Sequence, residues 1–209
     1  MNFKSLGKPR IPLVPRALER NSCGRGFYRG WCAGGGYLRG GGYSRWRKIL
    51  IRVGTAGSLQ DHVRDGDLVV ALGAVRAEGT TPRLLPLEFP ALSDPEVTAA
   101  LWEEAKAASG VHRGVVVTLD PFYRGVLDLG LDVYAQSGAL AVEMECSAIF
   151  CVAQLRGAKA GAILAIDGDA RRATLGEYNP HREVVRRAVD REIEVALNAL
   201  LRLLQPRPS

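Results

Sequence analysis

The chain has 209 residues, 47% of them hydrophobic, 24% charged and 7% aromatic, with a formal net charge of +6. Those proportions match an ordinary globular domain and exclude disorder throughout, a collagen-like fibre and a disulfide-dense miniprotein. No apolar run reaches the roughly 18 residues of a spanning helix, so no membrane partner is expected, and the length suits one sizeable core or at most two small ones.

The charge is uneven. Residues 1–48 hold 11 Lys and Arg against one acid, Glu19, and ten of the 24 glycines. Residues 49–209 hold 17 Lys and Arg against 21 acids, so the rest is mildly acidic. The first stretch includes GRGFYRGWCAGGGYLRGGGYSRWRK, which has neither a strand nor a helix period. One reading is an RNA-binding segment, with Arg on phosphates and Tyr28, Trp31, Tyr37, Tyr43 and Trp46 stacking on bases. The others are a disordered tail, because ordering so many glycines is costly, and a misread translation frame. Composition favours the latter two, and a nucleic-acid partner is not expected.

From residue 49 the text alternates between strand and helix patterns. A β-branched apolar run at 48–53 is ended by Gly54 and enters a Gly-Thr-Ala-Gly turn. Residues 67–72 read as a second strand, continuous in apolar character as when both sheet faces are covered. Ser93-Asp-Pro-Glu96 is a capping box with Pro in the first turn, opening a helix to about Ser109. A third strand is predicted at 114–119. Residues 142–156 read as a buried helix, apolar nearly all round. Residues 160–166 form a fourth strand. A final helix over 184–204 places Val185, Val189, Ile193, Ala196, Leu200 and Leu204 on one face. Alternating strands and helices indicate an α/β sandwich, and nothing resembling a linker interrupts 49–209, which is taken as one domain.

Cys146 and Cys151 fall in the buried helix and read as small hydrophobes of a reducing compartment. A cytoplasmic location is therefore expected. The three histidines are scattered and no metal-ligand spacing exists, so no metal is expected.

Two segments carry chemistry. A strand running into Gly-Thr-x-Gly gathers backbone N–H groups and a hydroxyl where an anion can sit, with Arg52 beside it as a cationic clamp. Ala141-Val-Glu-Met-Glu-Cys146 sets two carboxylates at the entrance of an apolar helix, where an unpaired buried acid is costly. Favourable alignment with the helix dipole accounts for one of them.

Arg52-Val-Gly-Thr-Ala-Gly-Ser-Leu-Gln60, Gly66-Asp-Leu-Val-Val with Ala74-Val-Arg-x-Glu-Gly79, Pro86-Leu-Glu-Phe-Pro-Ala91 and Val142-Glu-Met-Glu145 together resemble the nucleoside phosphorylases, in particular the uridine-phosphorylase-like branch. The resemblance covers about residues 48–204. It implies a three-layer α/β/α sandwich with a mixed, partly barrel-like sheet, and homo-oligomers, commonly hexamers built from dimers. It also implies phosphorolysis, in which nucleoside plus inorganic phosphate gives free base and pentose 1-phosphate, with phosphate as co-substrate and no cofactor. By the same resemblance Arg52 and Thr55 hold phosphate oxygens. Glu145 accepts from the ribose hydroxyls beside Thr55 and Met144. Gly57, Phe122 and Glu143 border the base, and Asp167 is the base-side acid. Arg52, Glu145 and Asp167 are the residues expected to carry catalysis.

The sequence departs from the family pattern in three places. Where well-studied uridine phosphorylases carry a Gln and an Arg for the uracil edge, this chain reads Gly125-Val126-Leu127-Asp128. Polar edge recognition depends on matched partners, so base choice stays open between pyrimidine and purine. Purine-type relatives carry an Asp after the late strand, and here Asp167 and Asp169 lie one position to either side. The family's early phosphate loop has only Gly7-Lys-Pro-Arg10 as a counterpart, so activity of this form is expected to be impaired. Two other readings remain: a non-catalytic ligand- or RNA-binding protein on the same scaffold, and a nucleosidase that uses water.

Overall fold

The first apolar run makes a longer strand than its sequence suggests. β1 spans Ile49–Ser58, so the Gly-Thr-Ala-Gly segment is strand rather than turn. Its parallel ladder with a late strand runs the full length, from Ile49 opposite Lys159 to Ser58 opposite Asp169. Pairing overrides the glycines, and neither Gly54 nor Gly57 has a positive φ. The computed structural model describes residues 49–123, 125–172, 179 and 181–205. The readings of residues 1–48, RNA stacking included, lie outside the described residues.

Five more strands follow: β2 (Leu68–Ala77), β3 (Ala91–Leu92), β4 (Val111–Leu119), β5 (Ala141–Glu143) and β6 (Lys159–Asp169). Their order is β3-β2-β4-β5-β1-β6, with β2 also pairing β6. The β1–β6, β2–β4 and β4–β5 pairs are parallel. The β1–β5, β2–β3 and β2–β6 pairs are antiparallel. The sheet is therefore mixed, and β2 and β6 bring its two ends together.

The helices are α1 (Pro95–Ala105), α2 (Leu131–Gln136), α3 (Cys146–Leu155) and α4 (Glu183–Leu204). One face of the sheet packs on α1 and α4 through Leu68, Val70, Ile163 and Ala165 against Val97, Leu101, Ala188 and Ala196. The other face packs on α3 through Val69, Val116, Leu164 and Ile166 against Phe150 and Cys151. This is the expected three-layer α/β/α sandwich. At Gly161 the approach of α1 is so close that a Cβ would lie 2.5 Å from Val97 Cγ1; a close-packed interior has no slack for that. Among the described residues no helix is long and apolar enough to cross a membrane.

Several details differ from expectation. The cap of α1 is Asp94, whose carboxylate accepts from the amides of Glu96 and Val97, not Ser93. The Ser93 hydroxyl instead donates to the Leu72 carbonyl. Glu96 pairs with Lys159. The helix expected over 142–156 begins only at Cys146, because Ala141–Glu143 is drawn into the sheet between β4 and β1. α4 is rotated from its expected face. It buries Val185, Ala188, Glu192, Val195, Ala196 and Ala199, while Ile193 and Leu204 face outward.

Candidate active site

β1 and β5 bring the two chemical segments together. The Arg52 guanidinium donates from Nε to Glu143 Oε2 at 2.9 Å, and its Nη2 lies 2.6 Å from Glu145 Oε2. Gly54 makes this possible. The guanidinium reaches forward along the strand, and a Cβ on Gly54 would stand 2.6 Å from Arg52 Nη1. Thr55 follows Gly54 in β1 and is half-buried.

Glu143 is the hub. Its side chain is fully buried, yet every lone-pair direction is used. Besides Arg52, it accepts from Thr118 Oγ1 at 2.6 Å, from the Glu145 amide at 2.9 Å and from the Cys146 amide at 2.9 Å. Because Glu145, at the N-cap, makes no side-chain cap bond, Glu143 satisfies the first amides of α3 from outside the helix. Thr118 in turn accepts from the Ser147 amide at 3.0 Å. A base-bordering role for Glu143 does not match this burial; its carboxylate orients Arg52 and the start of α3.

Charges reinforce the arrangement. Burial works against the Arg52 guanidinium, but the carboxylates of Glu143 and Glu145 outweigh it, so its pKa is raised. Burial, then the Glu143 charge, pushes the Cys146 thiol well above its ordinary range, so it stays neutral. Cys146 and Cys151 are both buried in α3 and free. Met144 and Glu145 are the open side of the cluster, each about two-fifths exposed.

A second carboxylate steadies the neighbouring loop. Glu78 accepts from the amides of Thr80 and Thr81 and from Ser147 Oγ. Burial opposes its charge, but these bonds prevail and its pKa is lowered. Arg76 donates to the carbonyls of Leu85, Pro86 and Phe89, wrapping the Pro86-Leu-Glu-Phe-Pro segment around one side chain.

Other expected site residues lie elsewhere. Gly57 faces Ala170, whose Cβ would be 2.8 Å from a Cβ added there. Asp167 is the extra residue where the β1–β6 register shifts, since Ala56 opposes Ile166 and Gly57 opposes Gly168. It is buried, and its carbonyl accepts from Arg182 Nη2 at 2.7 Å. Asp169 is bound to Arg171, which also reaches Asp61. Phe122 is exposed and meets Tyr123 edge to face at 5.0 Å. Val126 is fully exposed, and Asp128 accepts from the Gly130 amide. Neither therefore stands in for a uracil-edge donor. Among the described residues no cluster of His, Cys, Asp and Glu could hold a metal ion.

Cys146, read from the sequence only as a small hydrophobe, and Thr118, not singled out there, both bond Glu143. Thr118 closes a continuous Val-Val-Val run and looks like one more β-branched strand residue. Only the β4–β5 pairing sets it opposite Glu143.

A mixed sheet between α1/α4 and α3, with Arg52 held by a Glu-Met-Glu segment at a strand-to-helix junction, defines the class. Residues 47–203 match the family described as Phosphorylase superfamily, and the chain belongs to it. A guanosine phosphorylase of Halorubrum lacusprofundi is 36% identical over 163 residues, covering 75% of this chain and 66% of the relative. A uridine phosphorylase of Treponema pallidum is 37% identical over 138 residues, covering 61% of this chain and 54% of the relative. Among solved structures, a purine nucleoside phosphorylase from Toxoplasma gondii in complex with immucillin-H superposes with a TM-score of 0.69 at 30% identity, covering 75% of this chain and 64% of that one. The chain thus spans about two thirds or less of the length of these relatives.

Proposed function

We propose that this chain carries the nucleoside- and phosphate-handling part of a nucleoside phosphorylase and cleaves a uridine-like nucleoside to free base and pentose 1-phosphate. The observation that carries the reading is the Arg52–Glu143–Glu145 cluster, a cation anchored from behind by a buried acid and flanked by a partly exposed one. Phosphate bound by Arg52 and Thr55 presents an oxygen to the anomeric carbon. The glycosidic bond breaks with its electron pair on the base, and positive charge builds on the sugar. Glu145 accepts from the ribose hydroxyls over Met144, fixing the sugar against the nucleophile. Exchange of Glu145 between Arg52 and the ribose is how the site couples its two substrates. Phosphate is the co-substrate, no cofactor takes part, and the working form is a dimer-based homo-oligomer in the cytoplasm.

The positions Val126 and Asp128 favour a second reading for the base alone, a purine nucleoside with Asp167 or Asp169 on the base side. Both are tested together by incubating the full chain with uridine, guanosine or inosine, with and without phosphate, and measuring free base. Phosphate-dependent release that is lost in Arg52→Ala and Glu145→Ala is expected. Release that persists without phosphate would identify a nucleosidase, and no release from any nucleoside by folded protein would refute the activity.

A further inference from the structure

Thr118 is fully buried, a polar side chain directly after three valines of β4. The parallel registers set Arg76 of β2, Thr118 of β4 and Glu143 of β5 in one row across three strands. Side chains in such a row stand on the same face of the sheet. Along it the polar groups form an unbroken chain. Arg76 Nε donates to Thr81 Oγ1 at 2.9 Å, and the Thr81 hydroxyl donates to Glu78 Oε1. Ser147 donates its hydroxyl to Glu78 Oε1 and its amide to Thr118 Oγ1, both at 3.0 Å. Thr118 Oγ1 donates to Glu143 Oε1 at 2.6 Å, and Arg52 Nε donates to Glu143 Oε2 at 2.9 Å.

The Thr118 hydroxyl has only one orientation in this setting. It has a single hydrogen, the Ser147 amide can only donate, and an ionised carboxylate can only accept. The hydrogen therefore goes to Glu143 and a lone pair to Ser147. The Glu143 carboxylate, by contrast, turns on a soft terminal torsion. The Cys146 amide lies 3.0 and 2.9 Å from its two oxygens and so does not choose between them. Thr118 does choose: it holds Oε1, which leaves Oε2 to Arg52. The far end of the chain is itself tied down, since Glu78 also accepts from the amides of Thr80 and Thr81.

We propose that Thr118 is a positioning residue for Arg52, fixing the plane of the Glu143 carboxylate and through it the direction in which the guanidinium meets an anion. This rests on the reading of Arg52 as an anion holder. A guanidinium grips an oxyanion through a planar fork, so turning that plane sacrifices one of two parallel bonds. Val at position 118 would keep the shape of the side chain and the strand preference. It would remove both the donor to Glu143 and the acceptor for Ser147.

The test measures binding of inorganic phosphate to the full chain by calorimetry, with circular dichroism as the check on folding. Thr118→Val is expected to weaken phosphate binding about tenfold, the equivalent of one charged hydrogen bond. Thr118→Ser restores the hydroxyl and is expected to stay within about threefold of wild type. Thr118→Ala serves as a second variant without the hydroxyl should the valine disturb the fold. The last comparison repeats Thr118→Val in an Arg52→Lys background, where no Nε remains to be aimed. There the valine is expected to cost less than about twofold, because changes acting through one residue do not add. Wild-type affinity in the folded Val and Ala variants overturns the proposal. So does a Ser variant as weak as Val, which would make the methyl group the cause, or an undiminished loss in the Arg52→Lys background. Absence of phosphate binding by wild type overturns the Arg52 anion site and the positioning role with it.

Discussion

Removing the Glu143 carboxylate is the most direct test of how the site is built. In Glu143→Ala, four donors lose their acceptor together: Arg52 Nε, Thr118 Oγ1 and the amides of Glu145 and Cys146. Arg52 keeps only Glu145, which is 41% exposed and so weakly attractive. Breaking a buried ion pair from one side costs about 3–5 kcal/mol, a large share of the roughly 5–15 kcal/mol that holds a domain together. Glu143→Gln separates charge from shape. Its remaining oxygen can face Arg52 and the two amides, while its NH2 turns to Thr118 Oγ1, which can accept. Three charge-assisted bonds then become neutral ones at about 1 kcal/mol each, giving about 2–3 kcal/mol. Urea denaturation of the full chain reads both values, with the midpoint of the Ala variant falling by about 2 M at an unchanged slope. A cost below about 1 kcal/mol for Glu143→Ala would refute the account. Equal costs for Ala and Gln would show that charge alone, not shape, is what Glu143 supplies.

Gly54→Ala puts a methyl 2.6 Å from the Arg52 Nη1 position; phosphate affinity measured calorimetrically should fall about tenfold, the loss of one charged hydrogen bond, with circular dichroism unchanged. Arg52→Lys cannot serve Glu143 and Glu145 from two separate nitrogens, so phosphate affinity should fall roughly 10- to 100-fold. Glu78 has a folded pKa below its ordinary 4.5, so its stabilisation is present above that pH and lost as pH falls through the lower folded value. Glu78→Gln should flatten the acid limb of the stability profile between about pH 5 and 3. Glu192 has the opposite sign: with a folded value near 8 against 4.5, the native state holds the extra proton and wild type loses stability as pH rises between them. Glu192→Gln should be more stable than wild type at pH 9 by about 1–3 kcal/mol and indistinguishable at pH 4.

The four long strands and two long helices were legible because each carries an apolar pattern of sufficient length. What escaped were elements fixed by pairing rather than pattern. Ala141–Glu143 reads as the start of the following helix, since its residues suit that helix. It becomes β5 only because β4 and β1 bracket it. The Gly-Thr-Ala-Gly segment carries turn residues, yet the ladder with β6 keeps it extended. The same shortfall decides the site. Arg52, Glu143 and Glu145 were visible as unusual residue types, and the structure gathers them. That Glu143 faces inward, and that Glu192 is buried, depends on side-chain direction set by the pairing of β5 with β4 and by the rotation of α4. Neither is expressed in a local period.

β6 pairs with both β1 and β2, and this sets an order of events for a chain emerging from the ribosome. β1 is made first but waits more than a hundred residues for its partner, Ile49 for Lys159. Until residues 159–169 appear, β1 has only the short β5 contact and β2 lacks the strand that joins it to the far side. Such long-range closure makes folding slow and leaves apolar strands unpaired in the meantime. A nascent chain stopped before Lys159 should be protease-sensitive and chaperone-bound, and one stopped after α4 should not.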